Sequence, residues 1–190
     1  MTRTWTPTEI IEGILRAGNP TSPAILVCLP TVQLGNTTLK DQAVRAQSKS
    51  DAGAFSSEDF SGILGSDILR QFEITFDFKH DRVLLQRDEN YQPDPYRYVT
   101  IGIQIAKDAQ SGIQVMSVWK DSPAAQAGIR PGDYLEAVNG QPIKSLTPAQ
   151  VSSKFHAKEG TAVRLTIERS SEPLTVTVQT RRLLCSGHRP

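Results

Sequence analysis

Side chains that could carry catalysis are few in this chain and badly spaced for it. His80, His156 and His188 stand far from one another and from any cysteine pair, so the spacing of a metal site fails and each reads as a surface or turn histidine. Cys28 and Cys185 lie near opposite ends; one bridge between them is open, but there is no disulfide framework or Cys-rich metal motif. No Gly-x-Ser-x-Gly elbow occurs, and Ser56, Ser57 and Ser61 read as loop serines. Lysines and arginines are scattered as solvated faces, and a net charge of +1 gives no field for nucleic acid or an anionic membrane. No metal or cofactor is implied, and the expectation is binding, not catalysis.

The elements that would position such a binding site are strongly written. Ser122 suits a helix N-cap, Pro123 the first helical position and Gly128 a positive-φ stop. Arg130-Pro131-Gly132-Asp133 reads as a tight turn, because Pro presets φ at the second position and Gly tolerates positive φ at the third. Tyr134 to Val138 follows as a strand, and Asn139-Gly140 is a type I′ hairpin signal. Thr147-Pro148-Ala149-Gln150 predicts a capping box, with Leu146 and Val151 as a hydrophobic staple, opening a helix to about Ala157. Further strands are expected at Ile101 to Ile105, Ile113 to Val118, Val163 to Glu168 and Leu174 to Thr180, and Arg181 to Pro190 as a mobile tail.

Upstream, Thr6-Pro7-Thr8-Glu9 resembles a capping box before Ile10, Ile11, Ile14 and Leu15, predicting a short amphipathic helix to Gly18. Ala24 to Leu34 reads as extended, Gly35-Asn36 as a turn, and Gln42 to Ala46 as a second strand. Gln47 to Ser61 reads as loop. Phe72, Ile74, Phe76 and Phe78 alternate with Glu73, Thr75 and Asp77, the period of a half-buried strand, with Val83-Leu84-Leu85 returning after a polar turn. Asp88 to Tyr96, with Pro93 and Pro95, reads as a linker. No apolar run approaches the ~20 residues of a membrane span, and residues Trp5 to Glu9 interrupt any signal-peptide core. The default placement is cytoplasmic, or exported if a longer N-terminus precedes Met1.

From Tyr98 to Arg182 the order and motifs resemble a bacterial-type PDZ domain. That resemblance implies peptide or protein C-termini as partners: a peptide adds as a strand, with its terminal carboxylate in a nest of backbone N–H groups. The matching loop is Thr100-Ile101-Gly102-Ile103; Gly102 lets backbone donors approach an anion, and the isoleucines would line an apolar pocket. Ile105, Val151 and Phe155 complete the expected peptide-binding set. Thr100 stands where many eukaryotic members have Gly, and the same apolar residues also suit a plain core.

Residues 32–86 resemble the C-terminal part of a retropepsin-like aspartic protease lobe, most specifically at Ile63-Leu64-Gly65, which in that family packs under the catalytic loop. The family's Asp-Thr/Ser-Gly is missing: no Asp precedes Asp41, and Asp51-Ala52-Gly53 reads as a surface turn. Aspartic proteolysis needs two carboxylates sharing a proton, so no activity is expected of this chain alone.

The fold expected is mainly β with short helices: an N-terminal segment (1–30), a partial retropepsin-like β lobe (31–87), a linker (88–97), a PDZ-like β-sandwich or partial barrel capped by helices (98–182) and a mobile tail (183–190). The function expected is a peptide-binding module on an incomplete lobe. The alternatives are the C-terminal part of an aspartic endopeptidase whose catalytic segment lies outside this chain, and a remnant kept as an interaction element. A truncated sheet leaves unpaired edges and apolar surface, so self-association through the lobe is also expected.

Overall fold

A computed structural model describes residues 9–13, 24–47, 63–107 and 112–185. The fold is mainly β with a few short helices, and among the described residues its sheets are open with no closed barrel. The readings of Thr6 to Thr8, of Ile14 to Gly18, of residues 48–62 with Asp51-Ala52-Gly53, and of His188 lie outside the described residues.

The chain divides into two compact units, one built from residues 1–48 and 96–190, the other from 49–95. This differs from the linear order expected from the sequence, because the first unit joins the two ends of the chain. Its N-terminal part is a three-stranded antiparallel sheet of β1 (Glu9–Gly13), β2 (Ala24–Leu34) and β3 (Thr37–Gln47), with β2 in the middle. The expected helix over residues 7–18 is overturned at Glu9–Gly13, where Ile11 pairs with Leu26 across an antiparallel ladder. A ladder to a strong neighbouring strand outweighs a local capping signal, and β-branched Ile10 and Ile11 suit a strand. Gly35 takes φ +55 at the β2–β3 turn, as its place between two apolar segments predicts.

The main sheet of this unit runs β12-β11-β9-β8-β7, with β10 (Gln141–Pro142) beside β9. These strands are β7 (Ile103–Lys107), β8 (Ile113–Val118), β9 (Tyr134–Val138), β11 (Ala162–Arg169) and β12 (Glu172–Gln179). Alternate residues point inward: Ile113 and Val115 on β8, and Val163, Leu165 and Ile167 on β11, are buried in one core. Helices α2 (Pro123–Gln126) and α3 (Pro148–Ser153) cover it through Ala124 and Val151, joined by Phe155 just beyond α3.

Local signals placed these elements well. The Ser122 hydroxyl accepts from the Ala125 N–H at 3.2 Å. Thr147 and Gln150 form the reciprocal capping box, with Gln150 Oε1 accepting from the Thr147 N–H at 2.8 Å and Thr147 Oγ1 from the Gln150 N–H at 3.3 Å. Asn139 and Gly140 sit at φ 51 and 79, as a type I′ turn demands. Helix α3 ends at Ser153, short of the expected Ala157.

The tail is the largest departure within this unit. Over Arg181 to Cys185 the expected mobile tail is replaced by order: β13 (Arg181–Arg182) pairs antiparallel with β6 (Val99–Thr100), and Leu184 and Cys185 are buried, while the reading of residues 186–190 lies outside the described residues. Cys185 is disulfide-bonded to Cys28, with Cα atoms 5.3 Å apart. Around the bridge pack Leu184, Leu26, Ala43 and Tyr98.

In the other unit, Gly65 precedes the one-turn helix α1 (Ser66–Leu69), followed by the hairpin β4 (Phe72–Asp77) and β5 (Arg82–Arg87). Asp77 accepts from Arg82 Nε at 2.8 Å and pairs with His80 Nδ1, fixing the hairpin turn. These partners hold the Asp77 carboxyl below its ordinary range, His80 being the larger influence and Arg82 the next. The half-buried reading of this hairpin fails at its tip: Phe72 is buried, but Phe76 and Phe78 are 62% and 86% exposed and stack on each other at 6.1 Å.

Candidate functional site

The site lies where β6 gives way to β7. Thr100, the last residue of β6, is followed by Ile101 and Gly102 outside either strand, and Gly102 takes φ +84, open to glycine and strained for other residues. A side chain there would also collide: its Cβ would stand 2.3 Å from Ser122 Cβ and 3.0 Å from Leu183 Cδ1. The loop is clamped from below. Trp119 N–H donates to the Gly102 carbonyl at 2.9 Å, Ala124 N–H donates to the Ile101 carbonyl at 3.0 Å, and Gly102 N–H reaches Thr100 Oγ1 only at 3.4 Å.

Strand β7 leaves this loop as an edge, paired with β8 on one side at the end of the sheet. Its register with β8 shifts between Gln104 and Ile105, a bulge of the kind edge strands carry. Helix α3 packs against β7. The structure therefore brings together all the residues that the sequence singled out: Thr100, Ile101, Gly102 and Ile103 in the loop and strand start, Ile105 along β7, and Val151 and Phe155 from the α3 side. It also buries most of them. Ile101, Val151 and Phe155 are closed in the core and Ile103 nearly so, while Ile105 is half-buried against it.

A polar constellation, which the sequence did not reveal, braces the turn that leads into β9. Asp133 is buried; its carboxylate accepts from the Arg130 N–H at 2.8 Å and from Arg169 Nε and Nη2 at 2.7 and 2.9 Å. Arg169 Nη2 also donates to the Gly128 carbonyl at 2.7 Å. Burial pushes the Asp133 carboxyl up, but the Arg169 and Arg130 donors outweigh it and hold it below its ordinary value. The open 440 Å³ cavity beside it is lined by the Arg130–Tyr134 and Glu168–Ser171 turns. Asp133 and Arg169 are paired with each other, and the pair braces the Pro131-Gly132 turn. Among the described residues no group of His, Cys, Asp and Glu is arranged to hold a metal, and no helix is long and apolar enough to cross a membrane.

Residues 114–169 match the family model of the PDZ domain. Over 82 residues the chain is 39% identical to a probable CtpA-like serine protease of Staphylococcus saprophyticus, covering 43% of this chain and 16% of that protein. Over 86 residues it is 38% identical to a probable CtpA-like serine protease of Staphylococcus aureus, covering 45% of this chain and 17% of the relative. The chain thus spans under a fifth of the length of these curated relatives. Among solved structures, a photosystem II D1 C-terminal processing protease aligns with TM-score 0.43 at 23% identity, covering 46% of this chain and 24% of that one. A serine endoprotease from Yersinia pestis aligns with TM-score 0.39 at 15% identity, covering 95% and 64%.

These findings correct the aspartic assignment. The curated relatives are serine proteases, so the retropepsin-like reading of residues 32–86 is without support from them. The geometry agrees: Ile63 and Leu64, which the resemblance packs beneath a catalytic loop, are 62% and 41% exposed. The C-terminal region of this chain is a PDZ domain.

Proposed function

We propose that the PDZ domain binds peptides by strand addition on β7, the peptide lying between β7 and α3. The observation that carries this reading is the conjunction of an edge strand, a helix packed along it and a positive-φ glycine loop at the strand's start. Backbone N–H groups of Ile101, Gly102 and Ile103 face a terminal carboxylate, with Thr100 at the loop entrance. Ile103 and Ile105 with Val151 and Phe155 form the apolar floor for the last side chain. Because Ile101, Val151 and Phe155 are closed in the core, that floor is shallow and favours a small aliphatic terminal residue. The test compares one such peptide with a free and an amidated C-terminus. Carboxylate capture predicts at least tenfold weaker binding of the amide, about 1.4 kcal/mol; equal affinities would remove the carboxylate from the account.

A second reading is favoured by the relatives: the domain presents substrates within a larger protease, of which this chain is a portion. Proteolysis co-purifying with the protein and blocked by a serine-directed inhibitor would support it. We also assign self-association to the exposed Phe76, Phe78 and Val83 of the β4–β5 hairpin, since a two-stranded hairpin is marginal alone and an apolar face in water favours a partner.

A further inference from the structure

We infer that the Cys28–Cys185 disulfide is a thiol–disulfide latch on the Gly102 loop, resting on the peptide-binding reading only for its consequence on affinity. The bridge ties β2 to the end of the strap Arg181–Cys185, and that strap runs along the site. Arg181 pairs with Thr100 and Arg182 with Val99, Leu183 N–H donates to the Tyr98 carbonyl at 2.9 Å, and Leu183 Cδ1 stands 3.0 Å from where a Gly102 side chain would begin. Arg181 Nη2 donates to the Asp121 carbonyl, next to the Ser122 cap that supports the loop from the other side. Tyr98, which starts the segment, accepts from the Ala43 N–H and donates to the Asp41 carbonyl, both at 3.1 Å. Both neighbours of the loop are therefore anchored to the β2–β3 hairpin, one covalently.

Without the bridge, the strap holds to β6 through a two-residue ladder and isolated hydrogen bonds. Such short pairings open locally at little cost, and the loop loses one wall when they do. The cysteines are 1% and 4% exposed, so exchange with a small thiol requires that opening first. The chemistry balances with glutathione as reductant. One glutathione thiolate attacks a bridge sulfur, breaking the S–S bond, and the released cysteine takes a proton. A second glutathione resolves the mixed disulfide, leaving glutathione disulfide and two protein thiols.

Hydrogen exchange and peptide affinity are measured on the oxidised protein, on the glutathione-reduced protein and on a Cys28→Ala/Cys185→Ala variant. A latch predicts exchange about tenfold faster at amides 99–103 and 181–184, with β8, β9 and β11 unchanged, and about tenfold weaker peptide binding. The inference falls if loop exchange is unaltered, if protection drops equally throughout the core, or if the oxidised protein retains two alkylatable thiols. Faster loop exchange in a protein that binds no peptide in either state would keep the latch and sink the peptide reading.

Discussion

The β4–β5 hairpin and the β8–β9–β11 core use the same period-two pattern and end in opposite environments. On β11, alternate residues Val163, Leu165 and Ile167 are fully enclosed by strands, helices and each other. On β4, the equivalent alternation buries Phe72, half-exposes Ile74 and leaves Phe76 in water beside Val83, its cross-strand neighbour. Alternation establishes which residues share a face; it does not supply a second layer to cover that face. The PDZ domain has its second layer in α2, α3 and Phe155, held in place by caps at Ser122 and Thr147.

The comparison breaks most easily at matched truncations. Leu165→Ala should lower the stability of the PDZ domain by about 2–5 kcal/mol in urea unfolding, since the side chain is wholly enclosed and a cavity remains. A Phe76→Ser/Phe78→Ser pair, although it removes far more apolar carbon, should change stability by less than about 0.5 kcal/mol per site because both rings already stand in water. Comparable losses at the two places would mean that the hairpin face is covered after all.

Next in size is the Asp133 brace, whose counterpart in the hairpin, Asp77, is half-buried and paired with exposed partners. Asp133→Asn should cost about 1–3 kcal/mol, because a charged acceptor of three N–H donors is replaced by a neutral one. Its pH dependence has a definite sign. The folded carboxyl releases its proton more readily than the unfolded one, so the stabilisation is complete above the ordinary carboxyl range near 4 and is lost as pH falls through the lower folded value. The Asn variant should therefore show a flatter acid limb as pH falls through and below the ordinary carboxyl range. A limb as steep as that of the parent protein would assign acid sensitivity elsewhere.

These residues also mark how far the sequence was legible. The Asp133 turn could be read from Pro131 and Gly132, but its partner Arg169 could not, because nothing local signals a contact across 36 positions. The same holds for Cys185, whose bridge partner is 157 residues away and whose surroundings carry no periodicity. Residues Glu9–Gly13 misled in the other direction: a local capping pattern was overruled by pairing with β2. At the candidate site, Thr100 to Ile103, Ile105, Val151 and Phe155 were all placed together, but alternation could not say that Ile101 and Val151 would be closed.

A smaller effect sharpens the role of the caps. Thr147→Ala should cost about 1 kcal/mol by removing the acceptor for the Gln150 N–H, and should loosen α3 specifically. If α3 forms one wall of the groove, peptide affinity should fall along with helix protection; a stability loss without an affinity change would detach the helix from binding. Smallest in thermodynamic terms is the effect of Phe76→Ser/Phe78→Ser on association. Sedimentation should show reduced oligomer at unchanged stability, and an unchanged distribution would place any self-contact elsewhere.

The most direct test of the central claim is amide chemical-shift mapping of the oxidised protein during titration with a peptide ending in a free aliphatic residue. Strand addition at β7 predicts saturable shifts concentrated at Thr100–Lys107 and Pro148–Phe155, with β11 and β12 silent. Shifts confined to the Arg130–Tyr134 and Glu168–Ser171 turns, or none at all, would contradict it.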